Sequence, residues 1–317
     1  MIKILCITSL KFIPDVQKKL EELGQVDFIE NPDLNSVKEV ISKYDVLFTN
    51  PNNSKVFLGK EVLENSNLKC ITTASTGTIH IDMDYAKKKN INIINLSKEI
   101  DVLERITSTA EHAFLLMLSG IRNIFPAVSS VTKKNWDYEP FVGRQLTSLE
   151  IGVMGYGRLG KMFANYSKAF SANVRIYDPF VKCDDYPQYK NLKDFLNNLD
   201  VLSLHIHASK ENLEIINKDF LSNCKNGLLI VNTSRGEIVN ESDLLSYLNK
   251  NNKSKYFTDV LSSETKGLSN NKLLEKSLKD DSIVITPHMG GMTIDAQKIA
   301  YAHAVRLLKD YVRKEFK

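Results

Sequence analysis

"EIGVMGYGRLGKMFANYSKAF", Glu150–Phe170, decides the fold. A short β-branched run ends in G-x-G-x-x-G, and a helical pattern begins directly behind it. Each glycine has its own task in such a turn. Gly155 permits the tight reversal, Gly157 lets the backbone approach a pyrophosphate, and Gly160 lets the helix pack closely on the strand. The loop opens the helix "KMFANYSKAF", whose unpaired N–H groups face the anion, and Arg158 and Leu159 within the loop are counted among the cofactor contacts. Downstream, "NVRIYDP" reads as the next strand and ends on Asp178, 18 residues beyond Gly160. That is near the spacing of about 20 at which a carboxylate binds the ribose hydroxyls. A carboxylate there repels a 2′-phosphate, so NAD is expected as cofactor; Lys182, close behind, keeps NADP as the less favoured choice.

Working outward, short apolar runs alternate with helical segments on both sides. Before the glycine loop come "IKILCIT", "QVDFIE", "DVLFTN", "LKCITT" and "INIINL", separated by patterns such as "PDVQKKLEEL" and "LNSVKEVISKY". After it come "NVRIYD", "DVLSLH", "GLLIVNT", "KYFTDV" and "SIVITP". Strands separated by helices imply βαβ units and parallel sheets. The expected class is α/β, with two doubly wound parallel-sheet domains. "STAEHAFLLMLSGIRNIF" reads as one long helix, apolar on most sides and therefore buried at a domain or subunit junction. A polar connection with the only tryptophan, Trp136, follows it, and a helix from about Thr293 to Val312 follows the last strand.

Composition narrows the function. The 317 residues suit two domains, and the net charge of +4 is spread among interspersed acids and bases, not gathered in a stripe suited to nucleic acid. Cys6, Cys70, Cys183 and Cys224 form no C-x-x-C pair and read as reduced thiols of a cytoplasmic protein. "MIKILCITSLKF" lacks a small-residue cleavage site and reads as a first strand, not a leader. No apolar run approaches the ~18 residues that span a bilayer, so neither membrane nor nucleic acid is expected as a partner.

Three polar residues stand just past three strand ends, where the ligand crevice of an open parallel sheet lies. "GLLIVN" leads to Thr233, Ser234 and Arg235; "KYFTDV" leads to Glu264; "SIVITP" leads to His288. Arginine's planar fork binds a carboxylate. Histidine holds or releases a proton near neutral pH, and a glutamate bonded to it orients the ring and favours its charged form. Position alone also fits a surface turn for Arg235, a solvated loop for Glu264, and a metal ligand or loop residue for His288.

With these residues in place, the chain resembles the D-isomer-specific 2-hydroxyacid dehydrogenases, the family of phosphoglycerate, glycerate and D-lactate dehydrogenases. The markers are "GVMGYGRLG" with "IYDP", "LLIVNTSRGEIVNESDLLSYL", "TDVLSSE" and "ITPHMGG", in family order over nearly the whole length. The resemblance implies a split flavodoxin-like substrate domain, residues 1–120 with 288–317, around a Rossmann NAD-binding domain of residues 121–287. It implies a site in the cleft and a homodimer formed through the cofactor domain. By motif position Arg235 binds the substrate carboxylate, Glu264 partners the histidine and His288 moves the proton. Asp259 matches the residue near the nicotinamide carboxamide, and Thr233, Ser234, His205, Ile206, Thr76 and Gly291 match cofactor contacts. In "ASTGTIHID", Ser75, Thr76 and Gly77 match the loop whose N–H groups meet the substrate carboxylate.

Several positions depart from the family pattern. Ile79 replaces an acid, with His80 beside it; Arg105 stands where asparagine is common; Asn240 replaces an aspartate; His207 takes the place of a proline. Arg105 and His80 leave room for a larger or more anionic 2-hydroxy acid. Glu264 argues against the formate dehydrogenase branch, which carries glutamine there. No regulatory domain is expected after the last helix. The resulting expectation is an enzyme passing hydride between NAD(H) and C2 of a small 2-oxo or D-2-hydroxy acid. The competing reading is a corepressor-like NAD(H) sensor without turnover. A metal-dependent hydrolase built on His205 and His207 lacks an apparent third ligand, so no metal is expected.

Overall fold

The structure is a computed structural model that describes residues 1–51, 56–262, 264, 268 and 270–316. The chain forms two compact units, Met1–Ile106 with Gly291–Lys317, and Thr107–Gly290. In chain order the first unit begins with β1 (Lys3–Cys6), α1 (Pro14–Glu21), β2 (Gln25–Phe28), α2 (Leu34–Val40), β3 (Val46–Thr49), α3 (Lys60–Leu63), β4 (Cys70–Thr73), α4 (Met83–Lys88), β5 (Asn92–Ile94) and α5 (Ile100–Glu104). The second unit holds α6 (Ser108–Ile121), α7 (Ile124–Thr132), β6 (Glu150–Met154), α8 (Arg158–Ala169), β7 (Asn173–Tyr177), β8 (Gln188–Tyr189), α9 (Leu192–Leu196) and β9 (Val201–Leu204). It continues through α10 (Lys218–Leu221), β10 (Leu229–Asn232), α11 (Glu241–Lys250), β11 (Lys255–Thr258), α12 (Lys272–Ser277) and β12 (Ile283–Ile285); α13 (Ile294–Glu315) returns to the first unit.

Both units are doubly wound, as expected. The first sheet is parallel with order β2-β1-β3-β4-β5. Its inner strands β1, β3 and β4 are buried on both faces, which is why they read as continuous apolar runs, whereas the edge strands β2 and β5 are partly exposed. Ile4, Cys6, Val46 and Phe48 face α1 and α13, whereas Leu5, Ile7, Leu47 and Ile71 face the opposite layer. The second sheet is parallel with order β12-β11-β10-β9-β6-β7-β8. Its strand order reverses between β6 and β9, so the loops leaving Met154 and Leu204 flank the switch point where such sheets bind ligands. The two-residue β8 was not among the expected strands; at that length it has no periodicity to detect.

One expected helix is two. The run from Ser108 breaks after Ile121 because Asn123 takes a left-handed conformation (φ 52°). Its side chain is held on both sides, by Lys255 Nζ and by the Phe141 carbonyl. Lys255 also donates to the Gly120 carbonyl at 2.8 Å, neutralising the C-terminal end of α6. Burial pushes the Lys255 ammonium pKa below its ordinary value. The apolar character divides accordingly. α6 buries Ala113, Leu116 and Met117 against β10, β11 and α8, which is why it belongs to the second unit and the boundary falls at Ile106/Thr107 instead of after residue 120. α7 buries none of its residues. Among the described residues no single helix is long and apolar enough to cross a membrane.

His80 sits inside the first unit, 1% exposed, and neither ring nitrogen has a hydrogen-bond partner among the described residues. Burial pushes its pKa from 6.5 down to about 4. The unfolded chain therefore takes up a proton below about 6.5 and the folded chain only below about 4, so stability falls with pH across that window. At pH 5 the gap of 1.5 units corresponds to a loss of about 2 kcal/mol. Denaturant melts at pH 7.5 and 5.0 test this, with His80→Leu expected to lose less stability between the two. Equal losses in both proteins would remove His80 as the cause.

Candidate active site

The glycine loop is shaped by collisions that larger residues would suffer. Gly155 has φ 93°, and a Cβ there would lie 2.4 Å from the His205 carbonyl across the switch point. At Gly160 a Cβ would lie 2.0 Å from the Gly155 carbonyl. Gly157 is different: a Cβ there meets nothing within 4 Å. The protein itself does not need a glycine at 157, so its absent side chain is best explained by something that must approach the backbone. The position behind the loop fits the same group. Asp178, half-buried, accepts from the Tyr156 amide at 2.7 Å and from the Phe180 and Val181 amides at 2.8 and 2.9 Å. These bonds fix the carboxylate and leave lone pairs for hydroxyl donors. Lys182 is exposed and lies 2.7 Å from Asp184.

The loops that follow β9, β10, β11 and β12 are tied to one another. Ser234 Oγ donates to the Leu204 carbonyl at 2.6 Å, and the Asn232 amide group donates to the Arg235 carbonyl at 2.9 Å. Arg235 spends one N–H on the Ser234 carbonyl. Behind it, Gly236 is required because a Cβ would lie 2.0 Å from the Leu261 backbone. Glu241 accepts from the Ser262 amide and from Asn271, both at 2.9 Å, which pins the chain leading to Glu264. Thr233 is buried, and its Oγ1 has no partner among the described residues, a hydroxyl left over by the protein. His205 packs on Phe163 and its Nε2 meets Ser203 Oγ at 2.8 Å; burial pushes its pKa down to about 3. No group of three or more potential metal ligands exists among the described residues.

His288 Nδ1 lies 2.7 Å from Glu264 Oε1, with the two side chains 24% and 19% exposed. The ring is held at that place by an unusual backbone: His288 has φ 52°, a left-handed conformation that costs about 1–3 kcal/mol in a non-glycine residue. Asp259, 2% exposed, offsets that cost. Its Oδ1 accepts from Thr286 Oγ1 at 2.5 Å and from the Met289 amide at 2.9 Å, and Oδ2 accepts from the Gly290 amide at 2.7 Å. His112 Nε2 stands 2.9 Å from Thr286 Oγ1 and 3.4 Å from Asp259 Oδ1. Burial pushes the Asp259 carboxyl up, but the donors from His112, Thr286, Gly290 and Met289 outweigh it and hold the pKa below the ordinary value.

The first unit carries the remaining expected positions. Ser75 Oγ bonds within its own loop, to Thr73 Oγ1 and the Gly77 carbonyl, both at 2.8 Å. The amides of Ser75, Thr76 and Gly77 donate to nothing among the described residues, an arrangement suited to an anion. Gly291 opens the returning segment of this unit. His80 is buried and Arg105 lines a groove of the first unit, so substrate choice is assigned to neither. Asn240 replaces an aspartate without loss of its local task, because its side chain caps α11 through the Asp243 amide at 3.0 Å. Position in the sequence missed His112, Thr286, Gly236 and Glu241; the one signal available was a histidine inside an otherwise apolar helix.

The family model of the D-isomer specific 2-hydroxyacid dehydrogenase NAD binding domain matches residues 114–290. D-3-phosphoglycerate dehydrogenase of Mycobacterium tuberculosis is 29% identical over 305 residues, 94% of this chain and 55% of that protein. Hydroxypyruvate reductase of Thermotoga maritima is 29% identical over 271 residues, 85% of each. A crystal structure of D-lactate dehydrogenase from Aquifex aeolicus with NAD and lactic acid superposes with a TM-score of 0.83 at 28% identity, covering 99% of this chain and 96% of that one. The chain spans about half the length of the phosphoglycerate dehydrogenases it matches. It belongs to the D-isomer specific 2-hydroxyacid dehydrogenase family, and its cofactor is NAD(H).

The two glycines separate binding from folding. Gly157→Ala is expected to keep its melting temperature within about 2 °C, since an added methyl meets open space, and to weaken NADH binding at least about tenfold. Gly160→Ala, with its clash against backbone, is expected to lower the melting temperature. NADH titration by fluorescence and thermal melts read both; an unweakened Gly157→Ala would remove the pyrophosphate from that position.

Proposed function

We propose that the chain is an NAD(H)-dependent oxidoreductase that interconverts a 2-oxo acid and a D-2-hydroxy acid. The observation that carries this reading is the 2.7 Å contact of His288 Nδ1 with Glu264 Oε1. Glu264 directs the Nδ1 proton toward itself and orients the ring, so Nε2 is the atom assigned to the substrate oxygen. In the reductive direction Nε2 gives its proton to the carbonyl oxygen; in the oxidative direction it takes one from the hydroxyl. As positive charge forms on the ring, the Glu264 carboxylate stabilises it. Arg235, with one of its five N–H groups on Ser234, keeps a planar fork for the substrate carboxylate. Ser75, Thr76 and Gly77 are assigned the role of substrate-binding amides.

NAD(H), when bound, supplies or accepts the hydride at C2. Gly155, Gly157, Arg158, Leu159 and Gly160 would hold its pyrophosphate and Asp178 a ribose. Thr233 Oγ1, Ser234, His205 and Ile206 are assigned to its remaining polar contacts, with Thr76 and Gly291 assigned by motif position. Asp259 serves first as the anchor of the turn after β12, and Oδ2 keeps lone-pair capacity for a carboxamide. The names of the relatives suggest a panel of pyruvate, hydroxypyruvate and its 3-phosphate as substrates. A homodimer through the second unit is part of the proposal, because α7 exposes Phe125, Val128 and Val131 at 42%, 59% and 51%. Scattered exposed apolar residues are ordinary, but a helix with an apolar face and no buried side chain calls for a partner.

His288→Ala and Arg235→Ala are each expected to lower kcat/KM by about 10²–10⁴, while NADH dissociation constants stay within about threefold. Oxidation of NADH, run in parallel with NADPH, reads the panel; near-normal kcat/KM in both variants would sink the assignment. If no 2-oxo acid is turned over while NADH binds, a sensing protein is the better description. Val128→Glu is expected to convert dimer to monomer in sedimentation velocity, and a monomeric wild type would end the dimer reading.

A further inference from the structure

The first unit carries a groove of about 610 Å³ among α1, α5 and α13, within the range of about 300–1,000 Å³ typical of small-molecule sites. Its walls hold Lys19 from α1, Arg105 from the end of α5, and Lys298, Arg306 and Lys309 from α13. The one acid of the lining is Glu22, and Glu99, beside the groove's His303, is spoken for. Glu99 Oε2 holds His303 Nε2 at 2.5 Å and lies 3.9 Å from Arg306. Lys19, Arg105, Lys298 and Lys309 have no ion-pair partner among the described residues. Between them the floor is apolar, made by Val102, Ile299, Ala302 and Val305.

A solvated helix face usually mixes signs, with acids placed three or four residues from bases. The lining of this groove does not: Asp295 and Asp310 stand at helical spacing from Lys298 and Arg306 but outside it, and within it five cations meet one acid, Glu22. Arg306 and Lys309 sit at i,i+3, and Lys298 lies three helical turns before Lys309 on the same side. Arg105 and Lys19 bring further positive charge from two other helices onto the same concavity. Like charges gathered in a hollow repel one another unless an anion neutralises them.

We infer that this groove binds a small organic anion with at least two negative charges, a phosphate ester or a di- or tricarboxylate, whose carbon part rests on the apolar floor. The cations supply charge-assisted hydrogen bonds, and His303, fixed by Glu99, marks the inner wall. Such a ligand would bridge three helices of one unit and stiffen it. The inference is independent of the proposed chemistry at His288, since none of its residues belongs to that assignment.

Isothermal titration of the whole chain with pyrophosphate and, separately, with citrate tests it at constant ionic strength. The expected result is saturable binding of at least one of them, weakened about tenfold or more in Lys298→Gln/Lys309→Gln and also in Arg105→Gln. Arg235→Ala should bind as the wild type does. Pyrophosphate without citrate would identify phosphate as the preferred group, and the converse a polycarboxylate. The inference is overturned by no saturable binding, by binding unchanged in the groove variants, by loss only in Arg235→Ala, or by equal stabilisation with sodium chloride of the same ionic strength. Melting temperature and NADH affinity, expected unchanged in the groove variants, separate loss of the site from loss of the fold.

Discussion

A single buried carboxylate, Asp259, holds the segment on which His288 stands. Taking an ion out of water costs several kcal/mol unless its lone pairs are met, and here they are met by Thr286, Met289 and Gly290, with His112 Nε2 3.4 Å away. Because Thr286 donates its only hydroxyl proton to Asp259, it must accept from His112, so the three side chains form a directed chain: His112 Nε2–H to Thr286 Oγ1, and Thr286 Oγ1–H to Asp259. Two backbone amides immediately after His288 close the arrangement. The left-handed backbone at His288 is then affordable, since the next two residues cannot swing away without leaving a buried charge unpaired.

The same logic extends along the carboxyl edge of the second sheet. Arg235 cannot relax its turn without losing the Asn232 bond, and Gly236 lets that turn lie directly on Leu261 and Ser262. Glu241, from the first turn of α11, holds the Ser262 amide. The loops carrying Arg235 and Glu264 are thus one packed object, and the loop carrying His288 joins it through the Glu264 contact. A catalytic group held within about 0.5 Å of its working position needs this kind of support from its neighbours.

How far the sequence disclosed this depends on what each feature is made of. Parallel strands buried on both faces leave continuous apolar runs, and G-x-G-x-x-G between strand and helix is a local pattern, so the α/β class and the glycine loop were legible. The pairing of Glu264 with His288 rested on both following strand ends, a topological argument that needed the family likeness to become specific. The break at Asn123 was not legible, because it is fixed by Lys255, 132 residues away in sequence. His112 was missed for the same reason, since a polar residue in an apolar helix announces a partner without naming it, and a threonine at a strand end, Thr286, does not announce one at all. Arg105 was visible as a departure, but only the packing of α5 with α13 gives it companions.

This division also explains why a reaction class can be read from the chain while a substrate cannot. On the proposed reading, proton transfer at C2 and recognition of a carboxylate fall to groups whose places are set by the protein's own hydrogen bonds: the Glu264 contact for His288 and the turn around Asn232 for Arg235. Those bonds are made within the protein whichever acid is bound. The substituent on C3 is under no such constraint. On the same reading it would be met by side chains outside the network, such as the exposed Ile79 near the Ser75–Gly77 amides. A residue outside such a network is not dictated by the fold, so its identity can follow the ligand it meets.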